Sequence, residues 1–328
     1  MRSAEMIELW RGDMRESLHR GHAVICDAHG VVEAWGKPSQ VIYPRSSCKM
    51  IQALPLIESG AADAAGLTDR HLALACASHS GAAMHVGAVG EWLENLGMGE
   101  SDLRCGSHMP QDFAENRRLT CLDERPCQLH NNCSGKHAGF LTLNRHLKGS
   151  PEYVAPDHRV QQAVKAAFEE VTGESSPGFG IDGCSAPNWA CTVEGLARAM
   201  ARFANPGTDR RGQAMRRLVD AMRTHPELVA GEGRSCTALM RAMSGAAAVK
   251  TGAEAVFVAI LPDQGLGIAL KISDGATRAS EAAICALLIH LGVLDAADPV
   301  SQRHLSGPIR NWRGMTTGSL RTSPGFPG

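Results

Sequence analysis

With 328 residues, 44% of them apolar and 20% charged, the chain has material for a large hydrophobic core, in one big domain or two lobes, and its composition excludes disorder or a fibre. The 33 Lys and Arg against 34 Asp and Glu leave a net charge of −1. That balance argues against nucleic acid as the main partner, because phosphate binding needs a concentrated positive surface. The longest apolar run, Ala282 to Ile289, is far too short to span a bilayer, and residues 1–20 carry charges throughout without an apolar h-region. A cytoplasmic protein with no membrane partner is the expectation. The 11 cysteines are odd in number, so in a reducing compartment most should be free thiols, with Cys26, Cys76, Cys191 and Cys285 in apolar runs as core.

Both ends of the chain read as strand. Ile7 to Trp10, His22 to Asp27 and Val31 to Trp35 are short β-prone runs, with Asp27-Ala28-His29-Gly30 as a hairpin turn. Val41-Ile42-Tyr43 ends an extended segment, and Pro44 suits entry to a helix beginning near Arg45, where its missing N–H is not needed. The middle reads as helix. Val86, Val89, Leu93 and Leu96 recur at helical spacing and stop at Gly97; Val160, Val164, Phe168 and Val171 do the same before Gly173. Further helices are expected over Ala190–Phe203, Asp209–Met222 and Ala279–Leu291. Between the last two, Ala255 to Leu261 and Leu266 to Ile272 flank Pro262-Asp263-Gln264-Gly265, which is turn chemistry between two strands. The late arginines Arg303, Arg310, Arg313 and Arg321 are spread out and read as a solvated tail, and residues 322–328 are expected to fray. Strands at both ends around a helical middle imply an α/β (α+β) fold. Its sheet would come from about residues 1–45 and 245–321 of a single 1–321 domain, mostly antiparallel and flanked by helices, with a helical lobe over about 46–244.

Chemistry concentrates in a few strings. Ser46 and Lys49 lie three apart, and Lys250-Thr251-Gly252 returns about two hundred residues later; serine acyl-transfer enzymes with a lysine base are written in this order. On one helical face the Lys49 amine could take the Ser46 proton, provided it is neutral. Lowering a free lysine from about 10.4 to about 7 costs roughly 4–5 kcal/mol, which burial and a second cation, Lys250, could supply. Cys76-Ala77-Ser78-His79-Ser80-Gly81 follows an apolar run and either lines a site or caps the next helix. His130-Asn131-Asn132-Cys133-Ser134-Gly135-Lys136-His137 is dense in ligating groups for a loop, and Asp182-Gly183-Cys184-Ser185 closes a glycine-rich stretch. Two cysteines from separate loops plus a nitrogen donor would make a three-ligand zinc site with an open position, although the spacing matches no zinc-finger or ribbon pattern. Ser273-Asp274-Gly275 follows the second late strand, where Asp274 could contact substrate or simply cap a helix.

Taken together, Tyr43-Pro44-Arg45-Ser46-x-x-Lys49, the 76–81, 131–137 and 182–184 strings, Lys250-Thr251-Gly252 and Ser273-Asp274-Gly275 resemble the Rhizobium-type (class 3) L-asparaginases, the asparaginase II family, over nearly the whole chain. The resemblance implies hydrolysis of L-asparagine to L-aspartate and ammonia, a fold related to serine β-lactamases and glutaminases, and a homodimer. It implies Ser46 as nucleophile with Lys49 its base, and Ser78 with Lys250 as a second pair. It implies zinc held by Cys133, Lys136 and Cys184, a lysine ligand that must be deprotonated. Arg45, His79, Asn132, Asp182 and Asp274 become the expected substrate contacts. Cys48, inside the Ser-x-x-Lys turn, is expected to be a buried neighbour. A penicillin-recognising acyl-transferase is the competing enzyme, although its Ser-Asp-Asn string is missing, and a non-catalytic amino-acid- or metal-binding relative is the alternative outside enzymes.

Overall fold

A computed structural model describes residues 2–327, and the chain folds into two compact units. The first takes the residues up to Ser47, Cys191–Asn205, and everything from Ala238 on; the second takes Cys48–Ala190 and Pro206–Thr237.

The first unit is built on an eight-stranded antiparallel sheet drawn from both chain ends. In spatial order its strands are Pro308–Arg310, Thr316–Thr322, Ala4–Arg11, Met14–Cys26, Leu266–Ile272, Val256–Leu261 and Ala248–Gly252, with Val31–Trp35 also pairing to Met14–Cys26. Val256–Leu261 is apolar at every position and buried at every position, as a strand covered on both faces must be. Helix Thr277–His290 and helix Val193–Ala204 supply that cover. Val193, Leu196, Ala197, Met200 and Phe203 recur at helical spacing and are all buried, so the second helix, expected in the helical lobe, belongs to the sheet unit. It starts later than expected, because Cys191–Thr192 pairs as strand with Val41–Ile42.

Charged positions misled the strand expectations. Met14–Cys26 is one 13-residue strand rather than His22 to Asp27, its exposed first half carrying Arg15 and Glu16. Arg310 and Arg321 also lie in sheet strands, with the Arg321 guanidinium 4.9 Å above the Trp10 ring. The segment after Thr322, expected to fray, is tied down: Ser323 N–H donates to Met6 O, and Phe326 is 1% exposed, edge-on to Trp35 at 5.3 Å.

The second unit is helical. Helix Ser134–Leu147 runs through its middle, buried at every residue from Ser134 to Asn144 and packed by Leu54–Glu58, Asp69–Ala75, Ala83–Asn95 and Arg159–Thr172. It begins inside the string read as a loop. That reading missed it because its buried positions include Ser134, Lys136, His137, Thr142 and Asn144, which mask any apolar period. Gly135 explains how the helix enters so crowded a place: a Cβ there would sit 2.5 Å from Leu74 O. The helix whose stop was expected at Gly97 covers Ala83–Asn95, and Arg159–Thr172 ends on Gly173 at φ 68° as expected. No helix among the described residues is long and apolar enough to cross a membrane.

Candidate active site

In the sheet unit, the two strings from opposite ends of the chain meet. Lys250 and Thr251 lie on the edge strand Ala248–Gly252, and Gly252 packs on the Pro44–Ser47 turn, where a Cβ would stand 2.6 Å from Pro44 O and 3.1 Å from Ser47 N. Only glycine fits so close to another backbone. The turn itself is a single 3-10 turn, Arg45–Cys48, followed by the short helix Lys49–Gln52, in place of the helix expected from Arg45. Arg45 holds φ at 53°, a left-handed conformation that costs a non-glycine residue of order 1 kcal/mol or more and clusters at functional sites. Ser47 N–H and Oγ–H both donate to Pro44 O, at 3.2 and 2.7 Å, so Ser47 is a structural member of the turn while Ser46 stays half-buried. Lys250 is fully buried, its amine donating to Thr251 O at 2.7 Å.

The same unit holds Asp274, whose two carboxylate oxygens are both engaged: Oδ2 lies 2.6 Å from His19 Nδ1, and Oδ1 accepts from Ala276 N–H at 3.0 Å. Arg278 Nε–H donates to the other nitrogen of His19 at 3.1 Å, so the ring carries its proton on Nδ1 and gives it to Asp274. Desolvation would raise the Asp274 carboxyl, but the Ala276 N–H and His19 hold it below its ordinary value. Asp274 thus closes a side-chain turn onto Ala276, the residue before helix Thr277–His290, without capping the helix itself.

In the helical unit, Lys49 is 1% exposed and stands among acceptors. Its amine is 2.9 Å from Ser78 Oγ and 3.1 Å from Cys133 Sγ, and it donates to Ala77 O. Ser78 reaches this position because helix Asp69–Ala75 ends at the Cys76 cap and the chain leaves extended, with Ser78 N–H donating to Val229 O at 2.9 Å. Within the helical unit the lysine against Ser78 is Lys49.

Cys133 continues this cluster into the predicted metal set. Its thiol is held protonated, well above the usual range, by its hydrogen bond to Cys184 and by burial. Cys184 is driven the other way, held as a thiolate by Cys133 and the Lys136 amine, which is 3.0 Å from its sulfur. Burial opposes the charge on Lys136, but the Cys184 and Cys133 sulfurs overcome it and keep the amine protonated. A two-stranded ribbon presents Cys184: Phe179–Ile181 pairs with Pro187–Trp189, and the tip is closed by Asp182 N–H to Ala186 O, with Ser185 left-handed at φ 69°. Asp182 sits at this tip, near enough to add to the charge favouring protonated Lys136. Asn132 Oδ1 lies 3.1 Å from Cys133 Sγ, and the Asn132 backbone N–H donates to His108 Nε2 at 3.0 Å. Cys48 is fully buried, and burial pushes its thiol up to about 12, as expected of an inert neighbour.

His79 behaves otherwise than expected. It is 1% exposed and both ring nitrogens are used: Gly81 N–H donates to Nδ1 at 3.2 Å, and Nε2–H donates to Ser134 Oγ at 2.9 Å. Burial, then His85 stacked on it at 4.7 Å, keeps it neutral. It fastens the Ser78 loop to the first turn of the central helix, leaving no nitrogen for a substrate.

Two supporting residues escaped the sequence reading. Arg104 N–H donates to Tyr153 Oη at 2.9 Å, so the Tyr153 hydroxyl gives its proton to His137 Nδ1 at 2.8 Å. Burial raises Tyr153 far above the usual range, which keeps that proton in place. His137 must then carry its own proton on Nε2, a fully buried atom with no oxygen or nitrogen partner, and its neighbour on that side is the Cys184 thiolate. His137 could have been suspected from its string; nothing in the sequence marks Tyr153. Among the described residues no group of three His, Cys, Asp or Glu is gathered for a metal. The predicted set is two sulfurs and an amine instead. Its stabilised thiolate, converging soft donors and a buried N–H orienting one of them fit zinc.

Comparison with known proteins decides the lineage. The family model described as L-asparaginase II matches residues 7–322. The chain belongs to the L-asparaginase II family. No curated protein matches it. Among solved structures, a β-lactamase from Mycobacterium bovis aligns at 14% identity over 84% of this chain and 95% of its own, with a TM-score of 0.47. A putative β-lactamase from Bacteroides dorei aligns at 11% identity over 78% and 87%, with a TM-score of 0.42. The protein called Mglu, in its native form, aligns at 14% identity over 86% of this chain and 66% of its own, with a TM-score of 0.44.

Proposed function

We propose that this member of the L-asparaginase II family hydrolyses L-asparagine to L-aspartate and ammonia by lysine-assisted serine catalysis. The observation that carries the reading is Lys49 Nζ at 2.9 Å from Ser78 Oγ in a buried setting. In this reading the Lys49 amine is the base that takes the serine proton as the oxygen attacks the side-chain amide carbon. The resulting ammonium returns that proton to the leaving nitrogen, and ammonia departs. Water, deprotonated by the same amine, then cleaves the acyl-serine and releases aspartate. Ser78 is the serine that Lys49 meets directly. Ser46, three residues before Lys49 in the chain, and Lys250 enter through the family resemblance rather than through a distance. The strained Arg45 backbone ahead of Ser46 and the Gly252 contact behind it support a role for that turn.

Zinc, when bound, would be held by Cys133, Lys136 and Cys184 and would polarise or position a substrate carboxylate or carbonyl. Lys136 must lose its proton to ligate, whereas the Cys184 thiol is pushed well below its ordinary value by Cys133 and Lys136, the direction that metal binding favours. Asp182 and Asn132, at the two ends of this cluster, are the residues proposed to contact the amino acid. A cytoplasmic homodimer completes the proposal.

Ammonia release from asparagine and glutamine by wild type, Ser46→Ala and Ser78→Ala, with mass detection of an acyl-enzyme, tests the reading. Asparagine is expected to be far better than glutamine, whose amide is misplaced by about one methylene. Ser78→Ala should lose about 10³-fold or more in turnover. Wild-type rates in both serine variants would overturn serine catalysis, and nitrocefin turnover above background would favour the penicillin-recognising alternative.

A further inference from the structure

His85, in the first turn of helix Ala83–Asn95, is 0% exposed and has no part in the reaction above. Its ring lies parallel to that of His79, 7° apart in plane and 4.7 Å between centres. His85 Nε2–H donates to Glu227 O and Ser78 N–H to Val229 O, both at 2.9 Å, so the two residues hang on one short helix, Pro226–Val229. His79 follows Ser78 in the chain and is fastened from the other side, by its N–H to Asn132 O at 3.2 Å and its Nε2–H to Ser134 Oγ. Ser78, His79, His85 and Pro226–Val229 thus close a ring around the reacting serine. Gly231 shuts it from behind: a Cβ there would collide with Ser80 Oγ and stand 3.4 Å from His85 Cε1.

Hydrogen bonds also fix the charge that this ring of groups tolerates. Gly81 N–H donates to Nδ1 of His79, so a proton on that atom breaks the bond. Nδ1 of His85 is a buried atom with no hydrogen-bond partner, and a proton there would be a charge without an acceptor, at the positive end of its helix. The charged and titratable groups around the pair are Lys49, His108, Asp112, His130 with Glu115 against it, and Glu227 with His225 beside it. Burial, then His85, Lys49, His108 and His130, keep His79 neutral; burial keeps His85 below its ordinary value although the Glu227 carbonyl, Asp112 and Glu227 pull the other way.

We propose that His85 is a positioning residue for Ser78: neutral, it clamps the Ser78 loop through His79 and Pro226–Val229, and in acid its protonation releases that loop. Rings freed by opening take protons below a pH of about 6.5, whereas the closed rings stay neutral to lower pH. The clamp is therefore complete above about 6.5 and is lost as the pH falls. Its effect on turnover rests on the reading of Ser78 as the nucleophile; the clamp itself is measured without turnover.

Hydrogen–deuterium exchange of the full-length protein from pH 7.5 to 5.0, corrected for intrinsic exchange, reads the opening of the peptide that holds Ser78, His79 and Gly81. Helix Arg159–Thr172, which contains no histidine, is the internal reference. Each histidine that is neutral when closed and charged when open makes opening about tenfold easier per pH unit, so wild type should approach about 100-fold per unit below pH 6.5. His85→Gln keeps a donor for Glu227 O but cannot be charged; it should cut the response to about tenfold per unit and leave opening at pH 7.5 near wild type. His85→Leu should open the loop at pH 7.5 and lower kcat about tenfold with KM within about threefold. A wild-type loop that responds to pH no more than the reference helix overturns the proposal, as does a response that His85→Gln leaves unchanged. An unchanged kcat in His85→Leu beside an inactive Ser78→Ala overturns the positioning role and leaves serine catalysis intact. A fully active Ser78→Ala overturns the serine reading instead, and the exchange slopes still decide the clamp.

Discussion

In the sheet unit the reactive strings are held by backbone; in the helical unit they are held by one another. Lys250 is placed by strand register, Gly252 by a backbone approach that no side chain would permit, and Arg45 by a left-handed turn residue. Their side chains could change while the frame stayed. Ser78, Lys49, Cys133, Cys184 and Lys136 instead form a buried polar chain in which each member satisfies the next. Removing one link leaves its neighbours unpaired away from water, at about 1–3 kcal/mol for a neutral group and more for a charged one. Point changes should therefore be felt more sharply in the helical unit than in the sheet unit.

The largest effect is expected at Lys49. Lys49→Met keeps volume but removes the amine, and asparagine turnover should fall about 10³-fold or more. A loss under about tenfold would mean that the Ser78 contact is structural. Next comes His137→Phe, which removes the N–H beside Cys184 and strands the Tyr153 hydroxyl proton. Zinc affinity, measured by chelator competition, should weaken about 10–100-fold, and the thiolate absorbance of metal-free protein should drop. Unchanged absorbance would break the link between that ring and Cys184.

Gly252→Ala probes the sheet unit. Its Cβ would press on Pro44 O, so destabilisation of about 1–3 kcal/mol and a roughly tenfold fall in turnover are expected, read by thermal melting and kinetics. The smallest effect belongs to Asp274→Asn, where loss of a half-exposed pair with His19 should cost at most about 1 kcal/mol and leave KM within about threefold. Because the Asp274 carboxyl is held low in the folded state, its contribution is complete above a pH of about 4 and disappears as acid carries the pH down through the lowered value. The Asn variant should lack that acid-side loss. A large KM increase would instead make Asp274 a substrate contact.

Much of this molecule was legible from residue order. Periodicity located the helices around Val89 and Val164, turn chemistry located the late hairpin, and the spacing of Ser46, Lys49 and Lys250-Thr251-Gly252 singled out the turn and strand that Gly252 joins. These are local properties, written in neighbouring residues, or strings distinctive enough to match a family. What failed was the reading of charged or polar residues in ordered elements. Met14–Cys26 was cut short by its arginines, and the central helix was hidden by Lys136 and His137. Burial of a polar side chain depends on a partner that can lie far away in the chain, and no local pattern announces it. Tertiary structure alone placed Lys49 against Ser78, used up both nitrogens of His79, and turned the His137 proton toward Cys184 through Tyr153 and Arg104. The sequence could name the reacting groups because their chemistry is intrinsic; which of them share a proton is set by distances of about 3 Å, and only packing decides those.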